Sequence, residues 1–132
     1  MALVLCTGRD AILSETRLLI LEAEGHSVVT AQDEPAVIEA CRKHIFEVAV
    51  IGQTSSEQEK KRFFSVIRTH CPHSKILELH SIAATPVLRQ ADSWLEVPAS
   101  TPGELAARVA ALAATGKTKI TGSERPYNKF SA

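Results

Sequence analysis

Val48-Ala-Val-Ile51 is an unbroken apolar run of strand formers, closed by Gly52 and a short polar loop. A strand with no polar side must be buried on both of its faces. A sheet covered by helices on each side satisfies that demand, so this stretch fixes what the rest of the chain has to supply. In an open sheet of that kind ligands bind at the carboxyl ends of the strands. Here that end carries Gly52, Gln53 and Thr54, and no carboxylate.

The chain supplies the helices in alternation with further strands. Residues 3–6 form a short apolar strand stopped by Thr7-Gly8, and Asp10 caps a helix over about 11–24. Ile12, Leu19 and Ala23 set the inward face of that helix, widened by Leu18, Ile20 and Leu21. Gly25 ends it. Residues 27–31 are a second strand, and Asp33 caps a helix to about Lys43 with Val37, Cys41 and Ile45 inward. After the central strand, Ser56 and Glu59 have capping-box spacing. The helix they start runs to about Thr69, with Phe63, Phe64 and Ile67 inward and Lys60, Lys61 and Arg62 mostly solvated. Residues 75–79 are a fourth strand, 82–90 a short helix interrupted by Pro86, and 94–97 a fifth strand closed by Pro98. Thr101-Pro-Gly-Glu104 opens a last helix that Gly116 ends, with Leu105, Val109 and Leu112 inward. Five strands alternating with five helices imply one parallel sheet between two helical layers. Residues 1–116 make that domain. Residues 117–132 are polar, carry Lys117, Lys119, Arg125 and Lys129 against Glu124, and read as a disordered tail.

Charge and cysteines narrow the function. The 15 basic and 15 acidic residues leave a formal net charge of +0, which gives no footprint for nucleic acid or membrane. No apolar run approaches the roughly 20 residues of a membrane span, and no signal peptide precedes the first strand. Cys6, Cys41 and Cys71 are odd in number and far apart. Cys6 and Cys41 read as small core residues, a disulfide framework is not expected, and a cytoplasmic setting follows. His70, Cys71 and His73 are soft ligands lying close together. They straddle Pro72 without a paired Cys-x-x-Cys, so a structural loop is the plainer reading and no metal is expected.

Several stretches in joint register resemble the receiver domain of bacterial two-component response regulators. Leu21-Glu-Ala-Glu-Gly-His-Ser-Val-Val-Thr-Ala31 is similar to the end of the family's first helix and its second strand. Phe46-Glu-Val-Ala-Val-Ile51 is similar to its central strand. Ala91-Asp-Ser-Trp-Leu-Glu-Val-Pro98 resembles its fifth strand, and Pro102-Gly-Glu-Leu-Ala-Ala-Arg-Val-Ala-Ala-Leu112 its last helix. The resemblance spans about residues 2–115. It implies a CheY-like, flavodoxin-like (βα)5 fold and a role in phosphorelay signalling.

The family's reacting residues are all replaced. Thr7 and Gly8 stand where the resemblance implies two metal-binding acids, Gly52 where it implies the phosphate-accepting aspartate, His80 where it implies a serine or threonine, and Val97 where it implies a lysine. Magnesium needs oxygen ligands, usually with carboxylates among them, and an acyl phosphate needs a carboxylate nucleophile. The chain therefore reads as a stand-alone pseudo-receiver, not an enzyme and without cofactor, acting in signalling through phosphorylation-independent protein contacts. The resemblance implies that a partner or a second copy docks on the face of the fourth helix, fifth strand and fifth helix. Trp94 would anchor that face, and Ala106 and Ala110 would allow close helix approach. The alternative is a small anion- or nucleotide-binding module. Its crevice would use Thr7, Gly8, Arg9, Thr54, His80 and Ser81 with free backbone N–H groups at the start of the first helix. Filler in a vestigial crevice is the plainer reading of those residues. His80 also has the chemistry of a pH switch.

Overall fold

Val48–Ile51 forms a strand, and all four residues are buried. In this computed structural model, which describes residues 2–98 and 101–121, the rest of the fold assembles around it. In chain order the elements are β1 (Leu3–Thr7), α1 (Ala11–Ala23), β2 (Ser27–Ala31), α2 (Glu34–Lys43), β3 (Val48–Ile51), α3 (Glu57–His70), β4 (Lys75–Ser81), β5 (Ser93–Val97) and α4 (Pro102–Thr121). The five strands form one sheet in the order β2-β1-β3-β4-β5, with every pairing parallel. This is the flavodoxin-like doubly wound order, with its switch point between β1 and β3.

Alternation along the strands feeds two cores. Val4, Cys6, Val48, Val50, Leu77 and Leu79 pack under Leu21 of α1 and Leu105, Val109 and Leu112 of α4. Leu5, Ala49, Ile51 and Ile76 pack on the opposite face under Val37 of α2 and Phe63 and Ile67 of α3. Three helix starts follow the sequence signals. Asp10 Oδ1 accepts from the N–H groups of Ile12 and Leu13, Asp33 Oδ1 accepts from Ala36, and Ser56 and Glu59 complete a reciprocal capping box.

The structure corrects the sequence reading at several places. There are four helices among the described residues, because 82–90 is irregular. Glu78 accepts hydrogen bonds from the N–H groups of Val87 and Leu88, and Pro86 has none to donate, so a buried carboxylate does what a helix would have done for those amides. The last helix passes Gly116 and ends at Thr121. A glycine in a helix costs only about 1 kcal/mol, and no proline follows until Pro126. Residues 122–132 of the expected tail lie outside the described residues. Lys60 is buried beside Glu78 instead of solvated. Ile45 lies past the end of α2 and is exposed. The phase of α1 is also rotated from expectation. Its buried stripe is Ser14, Arg17 and Leu21, while Ile12 and Leu19 are 78% and 61% exposed.

Cys41 and Cys71 are joined as a disulfide, with Cα atoms 5.8 Å apart, between the last turn of α2 and the end of α3. This overturns the expectation of unpaired cysteines. Thirty residues separate the two in sequence, so spacing gave no hint of it, but packing α2 against α3 brings the helix ends together. No helix of the described residues is long and apolar enough to cross a membrane.

Candidate functional site

The carboxyl ends of β1 and β3 meet at Thr7, Gly8 and Gly52, and the group that fills the space between them is Arg17. Its position on α1 is fixed by the buried stripe, and its stem runs inward from there toward the strand ends. A Cβ added to Gly52 would lie 2.8 Å from Arg17 Nη1 and 3.1 Å from the Thr7 carbonyl oxygen. Gly8, with φ +147°, has room for a Cβ only 3.8 Å from the same Nη1. The two glycines thus form a floor on which a guanidinium rests. Its Nη2 donates to Gln53 Oε1 in the loop after β3.

Arg17 is only 6% exposed. Burial pulls its pKa down, opposed by the nearby Cys6 and Asp10. Cys6 lies under it in the same core. Burial pushes the Cys6 thiol up to about 12, with the Arg17 charge acting in the other direction. No carboxylate comes within ion-pair distance of Arg17 among the described residues. The described residues also contain no group of three His, Cys, Asp or Glu arranged to hold a metal.

The residues named from the sequence are not gathered into one pocket. Thr7 is fully buried and its hydroxyl donates to the Val50 carbonyl oxygen. The N–H groups of Gly8 and Gly52 donate to the carbonyl oxygens of Ala31 and Thr7, so neither is free for an anion. Arg9 turns away to Glu59 on α3, an ion pair that helps hold the Glu59 carboxyl below the usual range after the larger effect of the Ser56 backbone N–H. Thr54 is exposed in the loop beside Gln53. His80 and Ser81 belong to β4 itself, paired with Glu96 and Val97. His80 Nδ1 faces the carbonyl oxygens of Ser81 and Ala84, which requires that nitrogen to carry its proton and ties the ring to the following turn.

Around β5, Trp94 is 38% exposed and its Nε1 donates to the Leu88 carbonyl oxygen. Arg108 of α4 donates to Ser93 Oγ and the Trp94 carbonyl oxygen. Ala110 is exposed on α4, but Ala106 is buried in the core and presents no surface. Neither Arg17 nor Lys60 stood out in the sequence. A charged residue at the inward phase of a helix was the available signal, and the apolar residues flanking Arg17 masked it.

No family model and no curated protein matches this chain. Solved structures do. The chain is similar to NtrX from Brucella abortus in complex with ADP (TM-score 0.77, 17% identity), over 90% of this chain and 28% of that one. It therefore spans about a quarter of that protein's length. The receiver domain of the Francisella response regulator 1452 aligns at TM-score 0.71 and 18% identity, over 87% of this chain and 98% of that one. The chemotaxis protein CheY4 of Vibrio cholerae aligns at TM-score 0.71 and 22% identity, over 85% and 98%. The fold is that of CheY-like receiver domains.

Proposed function

We propose that this chain is a receiver-like module of two-component signalling that works through protein contacts and takes no phosphoryl group. The observation that carries the reading is the Arg17 guanidinium seated against Gly52. That is the position where the receiver resemblance calls for the accepting aspartate. A fixed positive charge there repels a divalent cation, and a bare glycine offers no nucleophile. The reading is non-enzymatic for the same reason.

The docking face is that of β5, the 82–90 segment and α4. Trp94 is its anchor, since a half-exposed tryptophan held by a hydrogen bond presents area at little entropic cost. The anchoring of Trp94 to Leu88 and of Arg108 to Trp94 supports a surface already set, with no phosphorylation needed to form it. A partner protein or a second copy fits the face.

The test is exposure of the full chain to magnesium with beryllofluoride, and separately to magnesium with acetyl phosphate, read by Trp94 fluorescence and intact mass. The expected result is no magnesium-dependent change and no added phosphoryl mass. A phosphorylated species, or a magnesium-dependent fluorescence change, overturns the reading.

A further inference from the structure

The described residues hold two buried side-chain oxygens without a hydrogen-bond partner, the hydroxyls of Ser14 and Ser55. Both belong to segments that build the Arg17 crevice. Ser14 lies one helical turn before Arg17 on the buried stripe of α1. Ser55 lies two residues beyond Gln53 in the loop after β3. Arg17 adds a third under-partnered group, because a guanidinium is a fork of several N–H donors and its hydrogen-bond partner among the described residues is one neutral amide oxygen. Buried polar groups are nearly always satisfied, and those that are not point to an ion or water. Here the unsatisfied groups are all donors or hydroxyls, and the one charge among them is positive.

Asp10 does not neutralise that charge by contact. Its Oδ1 holds the N–H groups of Ile12 and Leu13 at the start of α1. Water would satisfy hydrogen bonds, but it would leave the buried cation with only the distant charge of Asp10 to offset it. We infer that the crevice binds a small oxyanion reversibly and without a metal, with Arg17 as the ligand that carries the charge. A guanidinium fork matches carboxylate and phosphate oxygens, and serine hydroxyls donate to the same atoms. Gly8 and Gly52 close one side of the guanidinium, so the anion is placed on the opposite side, toward the loop of Gln53, its hydrogen-bond partner. The site is not the one expected from sequence, which relied on Arg9, Thr7 and free backbone N–H groups. The inference rests on the proposed function in one respect, that no aspartate or metal competes for this space.

The experiment is titration calorimetry of the full chain with inorganic phosphate and, in a second arm, with acetate. Chloride at matched ionic strength is the control. Saturable binding of phosphate is expected, and a response to acetate as well would assign carboxylates to the same site. Arg17→Met should lower the affinity at least about tenfold, the scale of one charge-assisted bond. Arg17→Lys keeps the charge and should retain weaker binding, which covers the case in which Arg17→Met fails to fold. No saturable binding to the wild type overturns the inference, as does equal binding by Arg17→Met. Neither outcome touches the magnesium and beryllofluoride result, so the two proposals fail separately.

Discussion

Among the described residues, each helical layer of this fold buries one lysine or arginine against the sheet, and the two are treated differently. On the α2/α3 side, Lys60 Nζ donates to Glu78 Oε2 at 2.8 Å and to the Leu79 carbonyl oxygen at 2.7 Å. Glu78 is fully buried and also holds the amides of Val87 and Leu88. Every charge there has an opposite charge, and the network ties α3, β4 and the 82–90 segment together. The Cys41–Cys71 bridge fastens the other end of the same layer. On the α1/α4 side, among the described residues, Arg17 has one neutral partner, and Ser14 beside it has none. The difference separates structure from site. A buried cation with its carboxylate in place is a fastening, whereas one without it is a receptor for a charge brought from outside.

The largest expected effect tests the fastening. Glu78→Ala leaves Lys60 buried without its carboxylate and frees the 82–90 segment. Urea unfolding should show a loss of about 3–5 kcal/mol, the usual cost of breaking a buried pair by removing one partner. Arg17→Met should cost less than about 1 kcal/mol or even stabilise the chain in anion-free buffer, since it removes a buried charge that no carboxylate contacts and keeps an apolar stem. Equal losses from the two variants would break the contrast between fastening and receptor.

The bridge comes next. Cys41→Ser, or reduction, should lower stability by about 2–4 kcal/mol, as expected from opening a loop of this length. Urea melts with and without a dithiol reductant measure it. Intact mass of the oxidised chain should fall short of the fully reduced mass by two hydrogens. Unchanged mass and melts on reduction would remove the bridge from the account of the α2/α3 layer.

Most of the sheet could be read from residue patterns, and the places where the reading stopped have a common cause. The apolar run of β3, the capping residues Asp10, Asp33 and Ser56, and Gly25 at φ +92° are local signals that act within a turn or a strand. Arg17, Lys60, Glu78 and the pairing of Cys41 with Cys71 matter through partners 18 to 36 residues away. Periodicity weights each side chain by its own polarity, so it set α1 on Ile12 and Leu19 and gave Arg17 no inward role. It also made 82–90 a helix, because nothing local shows that Glu78 will take those amides. At the candidate site, the small residues Gly8 and Gly52 were legible as the ends of β1 and β3. The residue that fills the space, Arg17, lies on α1 among apolar neighbours and was passed over.

Gly52 offers a smaller and more direct test of the receptor side. In Gly52→Ala the new methyl meets Nη1 of Arg17 at 2.8 Å and the Thr7 carbonyl oxygen at 3.1 Å. The guanidinium, at the end of a flexible side chain, will give way, but the backbone oxygen will not. A loss of about 1–3 kcal/mol is expected from such overpacking, together with weaker phosphate binding. Unaltered stability and binding would mean that the guanidinium does not rest on that glycine.

Cys6 reports on the same charge with the smallest effect. Its folded pKa of about 12 stands above the ordinary 9.0, so the thiol stays protonated in the native chain while the unfolded chain ionises. The stability this contributes is complete below pH 9 and is lost as pH rises from there toward 12, because over that window the unfolded state binds fewer protons. At pH 10 the loss should be about 1 kcal/mol, measured as the difference between the wild type and Cys6→Ala across urea melts at several pH values. The Arg17 charge works against burial at this thiol. Arg17→Met should therefore raise the Cys6 pKa further, and a saturating oxyanion should move it the same way by cancelling that charge. Lys60 has its counter-charge built in and should produce no such response to phosphate at any thiol. If phosphate leaves the Cys6 titration where it was while Arg17→Met shifts it, the anion is bound away from Arg17, and the two buried cations are more alike than their partners indicate.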